Sequence, residues 1–173
     1  MQLAELKTYI HDVPNFPEAG IIFKDISPLL ACAKARNTAT QMLAAAFENE
    51  QIDIVLGIES RGFLFGLPLA NTLNAQFVMV RKPGKLPGRL ITKEYALEYG
   101  TDTLEMQAAA IKPGDKVLLH DDVLATGGTA AAAIALVEQC GGMVVGASFL
   151  IEIGFLKGRA YCNGIPVHAV LNY

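Results

Sequence analysis

Two adjoining carboxylates, Asp121 and Asp122, stand just ahead of a small-residue loop, Ala125-Thr126-Gly127-Gly128-Thr129, and no other stretch is better suited to chemistry. An apolar strand pattern, Val117 to Leu119, runs into the aspartates, and a helical pattern through Ala130 to Val137 follows the loop. Glycines let a loop turn tightly and bring backbone N–H groups against an anion, and a helix N-terminus adds partial positive charge. Carboxylates beside an anion cradle repel it unless they hold the hydroxyls of a sugar whose phosphate lies in the loop, or share a cation. The pairing therefore points to a sugar phosphate. Each half has a plainer reading, since Gly-Gly-Thr is often only a turn with a helix cap and paired aspartates at a strand end are often solvated. Together, at the C-terminal end of a strand where α/β sheets bind ligands, they favour a site.

A second strand-to-helix junction, Gly57-Ile58-Glu59-Ser60-Arg61-Gly62-Phe63, offers Arg61 as a fork for phosphate oxygens. Five of the fourteen Lys and Arg residues, Arg81, Lys82, Lys85, Arg89 and Lys93, crowd a segment broken by Pro83-Gly84 and Pro87-Gly88. A long irregular stretch in a compact domain is often a functional lid, although a basic loop is also a common solvated feature. Arg61, Lys82 and Lys85 would make a second, more cationic site for a more highly charged anion. Neither the Walker lysine signature nor the spaced dinucleotide fingerprint is present, which argues against an ordinary nucleotide triphosphatase or dehydrogenase.

The elements that must position these residues alternate. Apolar runs at 52–58, 77–80, 116–119, 143–151 and 167–171 predict strands, and the patterns at 38–50, 61–73 and 129–140 predict helices, with Pro68 interrupting the second. Continuous apolar strands separated by helices predict an α/β protein with a mainly parallel central sheet flanked by helices. The 173 residues suit one domain, 1–173, with the turn-rich residues 1–30 draped over the core and 83–101 as a mobile loop. A 52% hydrophobic, 18% charged composition excludes disorder, and a net charge of −3 gives no reason to expect nucleic-acid or membrane binding. Cys32, Cys140 and Cys162 are too scattered for a disulfide framework or zinc site, and no metal-ligand set stands out. The expectation is a soluble, cytoplasmic protein.

The strand, two acids, apolar pair and Ala-Thr-Gly-Gly-Thr resemble the phosphoribosyl pyrophosphate (PRPP) motif of type I phosphoribosyltransferases. Pro14-Asn15-Phe16-Pro17, residues 20–29, Glu59 to Phe63, Arg81-Lys82 with Gly84 to Gly88, and Glu94 to Gly100 narrow the likeness to the branch that uses adenine. The resemblance covers residues 10 to 160. It implies the type I phosphoribosyltransferase fold with a small N-terminal hood and flexible catalytic loop, and transfer between PRPP and adenine to give AMP and pyrophosphate. It also implies Mg²⁺ held mainly through PRPP, and a homodimer.

By the same resemblance, Asp121 and Asp122 hold the ribose hydroxyls, and Ala125, Thr126, Gly127, Gly128 and Thr129 hold the 5′-phosphate. Arg61, Lys82 and Lys85 face the pyrophosphate, Arg61 counting also as catalytic. Ile22, Phe23 and Lys24 belong to the hood over the base, with Phe23 as a wall and Phe16 as packing. Glu98 and Tyr99 belong to the catalytic loop, where Glu98 either manages a proton at adenine N7 or braces the loop. His120 stands where the family is usually apolar, Asn15 where aspartate is common, and Pro83 in a stretch often more basic. Two competing readings are a phosphoribosyltransferase for xanthine, guanine, hypoxanthine or orotate, and a PRPP-binding regulator without turnover.

Overall fold

The computed structural model describes residues 1–96 and 100–173. The chain opens with α1 (Leu3–Lys7), the strands β1 (His11–Pro14) and β2 (Ile22–Asp25), then α2 (Ser27–Ala31) and α3 (Ala33–Ala45). It continues through β3 (Ile54–Ile58), α4 (Gly62–Thr72), β4 (Gln76–Val80), β5 (Leu90–Ala96) and β6 (Thr101–Gln107). It closes with β7 (Lys116–Leu124), α5 (Gly128–Gln139), β8 (Met143–Glu152), two 3-10 turns (Gly154–Leu156 and Gly158–Tyr161) and β9 (Val167–Asn172).

Five strands form the central sheet in the order β4-β3-β7-β8-β9, and every neighbouring pair is parallel. Its inner strands β3, β7 and β8 are buried on both faces over most of their length, which is why they read as continuous apolar runs. Ile54, Leu56, Val117 and Leu119 pack on one side with the alanines of α5 and with Leu104 and Met106 of β6. Val55 and Leu118 pack on the other with Ala39 and Leu43 of α3 and Phe65 and Leu69 of α4. This is the expected α/β architecture.

Local expectations shift in four places. The segment at 83–101 is not irregular throughout: β5 pairs antiparallel with β6 from Leu90↔Gln107 to Ala96↔Thr101. Charged residues on the exposed side of that arm mask a strand whose partner contributes two fully buried side chains. The N-terminal segment likewise holds a two-stranded sheet, with β1 and β2 antiparallel. Helix α3 begins at Ala33 rather than 38, where Lys34-Ala35-Arg36 are good helix formers. Strand β7 does not end at Leu119 but runs through the aspartates to Leu124, because β8 continues to pair with it beyond Asp121. No helix among the described residues is long and apolar enough to cross a membrane.

Candidate active site

Parallel strands deliver their C-terminal ends to one edge, and the site is built there. Asp121 and Asp122 sit in the second half of β7, and the loop Ala125–Gly127 carries the chain from that strand into α5. Gly127, at φ 87°, caps the helix, so the loop lies directly beneath its N-terminus. A small cavity of about 70 Å³ is lined by Asp121, Leu124, Ala125, Thr126, Gly127 and Thr129. Backbone amides at a helix N-terminus and the Asp121 carboxylate thus face one space, with Asp122 adjoining it along the strand.

The carboxylates are unusual in their burial. Asp122 is 4% exposed. Burial, then the neighbouring charge of Asp122, hold the Asp121 carboxyl well above the ordinary carboxylate range. Burial also raises Asp122, while the Arg61 guanidinium opposes the rise. The Asp122 N–H donates to Asp121 Oδ1 at 2.8 Å, which folds the two groups against each other. Helix α4 begins against them: a β-carbon on Gly62 would lie 2.9 Å from Asp121 Oδ1. That close approach brings Arg61 to the strand end, with its Nε 2.7 Å from Asp122 Oδ2. The contact is one of charge, since Asp122 Oδ2 is buried without a hydrogen-bond partner among the described residues.

Arg61 also reaches the N-terminal strands. Its guanidinium carbon lies 4.8 Å from the centroid of the Phe23 ring, and Phe16 packs edge-on against Phe23 at 5.1 Å. Arg61 therefore stands between Phe23 and Asp122. The neighbours of Phe23 point elsewhere: Ile22 is exposed, and the Lys24 amine lies 2.6 Å from Asp12 and 3.9 Å from the Tyr173 ring centroid. Any contact of Ile22 or Lys24 with a base would fall to their backbone groups.

The basic segment is held by carboxylates that sequence reasoning passed over. Glu59, its side chain 7% exposed, accepts from Arg81 Nε at 3.1 Å, from the Lys82 N–H at 3.0 Å, and from the Lys85 amine. Burial alone would raise the Glu59 carboxyl, but the Lys85, Lys82 and Arg81 donors hold it below its usual range. Lys82 pairs instead with Asp102 of β6, and its amine donates to the Tyr95 hydroxyl at 3.0 Å. Burial opposes the charge on Lys82, yet those two partners raise its pKa. The Thr129 hydroxyl lies 3.3 Å from the same Tyr95 oxygen, which ties the β5–β6 arm to the phosphate loop. Tyr95 falls within the recognised 94–100 stretch without a role of its own and Asp102 just beyond it, since their importance depends on Lys82 folding back between them. Glu98 and Tyr99 lie outside the described residues.

His120 is fully buried, and burial depresses its pKa to about 4. Its Nδ1 lies 2.8 Å from the Ser148 carbonyl, while Nε2 has no hydrogen-bond partner among the described residues. The ring is neutral. Asn15 adopts φ 58° and accepts the Gly20 N–H at 2.9 Å, a turn role that aspartate could also fill. The cysteines are free thiols, and the described residues hold no cluster of three metal-ligating side chains.

A parallel sheet whose middle strand ends in adjoining acids, one half-buried and one buried, with a phosphate-type loop beside them and a basic arm tied to that loop, defines a phosphoribosyltransferase site. Residues 29–158 match the phosphoribosyl transferase domain family. The adenine phosphoribosyltransferase of Flavobacterium johnsoniae is 52% identical over 169 residues, 98% of this chain and 99% of its own. A crystal structure of adenine phosphoribosyltransferase from Thermoanaerobacter pseudethanolicus superimposes with a TM-score of 0.97 at 48% identity, covering 99% of this chain and 100% of that one. The Saccharomyces cerevisiae enzyme, crystallised with an imino-altritol bisphosphate and adenine, is 43% identical with a TM-score of 0.92 over 98% of each chain. The chain belongs to the adenine phosphoribosyltransferase family.

Proposed function

We propose that this enzyme serves purine salvage by joining adenine to PRPP, releasing AMP and pyrophosphate, with its residues in the following roles. Asp121 and Asp122 accept the ribose hydroxyls. The amides of residues 125–129, with the Thr126 and Thr129 hydroxyls, hold the 5′-phosphate under the positive end of α5. Arg61, Lys82 and Lys85 turn to the pyrophosphate. The base lies against Phe23, read by the backbone of Ile22 and Lys24. The bond from the anomeric carbon to the pyrophosphate oxygen breaks as the bond to adenine nitrogen forms, and adenine gives up one proton. Glu98 takes that proton at N7, with Tyr99 beside it on the catalytic loop.

The observation that carries this reading is the meeting, at one strand end, of a buried acid pair, an amide-lined cavity and Arg61. Positive charge that develops on the ribose ring is stabilised beside the acids, and charge on the departing pyrophosphate beside the cations. Closing the site keeps water from the activated sugar. With no cluster of three metal-ligating side chains among the described residues, the chain suits Mg²⁺ that arrives on the diphosphate and keeps its own waters. When bound, that ion helps neutralise the leaving group. The working form is a cytoplasmic homodimer with 1–30 as hood and 83–101 as catalytic loop of one domain. Leu64 and Leu67 on α4 and Met79 on the edge strand β4, each more than 40% exposed, suit a covered face.

One steady-state assay tests this. With PRPP and Mg²⁺ the protein converts adenine to AMP far faster than it uses hypoxanthine or guanine, whose C6 carbonyl accepts where adenine's amino group donates. Comparable rates on all three bases would remove the base assignment, and no turnover with any of them would favour a regulator. Light scattering on the same sample should give twice the 18.5 kDa chain mass.

A further inference from the structure

Ala125, Gly127 and Gly128 have no polar side chains with which to fix the direction of the loop, so over that stretch the backbone packing behind it helps to set the aim. Behind it stands the second 3-10 turn, backbone against backbone. A β-carbon on Gly127 would lie 2.4 Å from the Gly158 carbonyl oxygen and 2.9 Å from Tyr161 Cβ, and one on Gly158 would lie 2.3 Å from the Ala125 carbonyl oxygen. Real β-carbons essentially never come within 3.0 Å of such atoms. Two facing glycines are what allow the contact.

The turn is itself clamped. Arg159 Nε and one terminal nitrogen each donate to Glu152 at 2.7 Å, and the other terminal nitrogen donates to the Val167 carbonyl at 2.7 Å. Glu152 is buried and in register with Leu124, the residue that precedes the loop, and the Ile153 N–H donates to the Leu124 carbonyl at 2.9 Å. A planar fork thus connects the end of β8 and the first residue of β9 to one turn, β8 is bonded in turn to the residue before the loop, and the turn packs on the loop itself.

We propose that Arg159 is a positioning residue for phosphate binding: held by Glu152 and Val167, it seats Gly158 against Ala125 and Gly127 and so fixes where the loop amides point. The inference rests on the reading of residues 125–129 as the 5′-phosphate site. It separates that site from the pyrophosphate cations, none of which the clamp touches.

Calorimetric titration of Gly158→Ala and Arg159→Lys with ribose 5-phosphate, and separately with Mg-pyrophosphate, tests the idea. Lysine keeps the charge but loses the fork. Misplacement of a binding group by about an ångström can cost up to about a hundredfold, so ribose 5-phosphate should weaken about tenfold or more in both variants. Pyrophosphate binding should stay within about twofold, with the circular dichroism unchanged. Folded variants that bind ribose 5-phosphate like the wild type would overturn the proposal, as would a parallel loss of pyrophosphate. If Gly158→Ala does not fold, Arg159→Lys and Glu152→Gln decide by the same criteria. A wild type that binds ribose 5-phosphate but makes no AMP would sink the adenine assignment while leaving this test readable. A wild type that binds neither would overturn both.

Discussion

Replacing His120 with leucine should make the protein resist acid. The ring lies fully buried between Ser148 and the α4–Phe77 packing, with a pKa of about 4 against 6.5 in a free chain. A base whose folded pKa is depressed is neutral in the fold and charged once unfolded, so acid favours unfolding. The loss starts below about pH 6.5 and levels off below the folded value. Linkage puts the penalty at a few tenths of a kcal/mol at pH 7 and about 2 kcal/mol at pH 5, approaching about 3 kcal/mol at its limit. Asp122, two residues along the strand, has Arg61 as its own counter-ion, and Asp121 is raised in both proteins, so subtracting the variant removes most of their contribution. Leucine fills a similar volume and forfeits the bond to Ser148, an offset of about 1 kcal/mol that hardly depends on pH. Guanidinium titrations at pH 7, 6 and 5 suit the test better than heating, because the isoelectric point near 5.6 invites aggregation of hot chains. The wild type should lose about 2 kcal/mol relative to His120→Leu between pH 7 and pH 5. A gap that stays constant to within about 0.5 kcal/mol would show that the ring is not held neutral, and the argument from burial would fail.

Two further substitutions probe the site. Asp121→Asn should raise the melting temperature in the absence of PRPP while raising the PRPP KM at least about tenfold, since a buried carboxyl next to another is held for its ligand rather than for the fold. The folded pKa of Asp121 is raised, so its charge costs stability as pH rises above the unfolded value of 3.8. The variant's thermal advantage should therefore grow from pH 5 to pH 8, and a variant that melts below the wild type at pH 8 would refute this. Tyr95→Phe removes the oxygen near both Lys82 and Thr129, so it should destabilise the protein by about 1 kcal/mol and raise the PRPP KM about fivefold. An unchanged KM would mean that the arm and the loop act separately.

The sheet and the acid–loop motif were legible because both are local. A strand buried on two faces must be apolar throughout, and an amide cradle needs glycine where the chain turns left-handed, as Gly127 does. The rest depended on partners far along the chain. Tyr95 meets Thr129 across 34 residues and Lys82 meets Asp102 across 20, distances at which side-chain type carries no register. The β5–β6 arm was obscured for another reason: Thr92, Lys93 and Glu94 face water, so its strand pattern is half polar and reads as loop. Gly158 and Arg159 follow the recognised motif by some thirty residues, and only the fold returns them to it.

The cations expected at the pyrophosphate are all paired: Arg61 with Asp122, Lys82 with Asp102, Lys85 with Glu59. Binding a diphosphate at these cations would therefore be an exchange of anionic partners. What each carboxylate keeps after the exchange differs. Glu59 retains the Arg81 side chain and the Lys82 N–H. Asp102 retains the Thr103 N–H at 2.7 Å and the Tyr95 hydroxyl at 3.3 Å. Asp122 Oδ2 has no hydrogen bond among the described residues to fall back on. A buried carboxylate oxygen left without a partner costs about 1–3 kcal/mol or more, and a ribose hydroxyl is the group that would remove that cost. If Arg61 turns to the pyrophosphate as proposed, it leaves at Asp122 the acceptor that the sugar of the same substrate would fill, and the two ends of PRPP would then bind cooperatively.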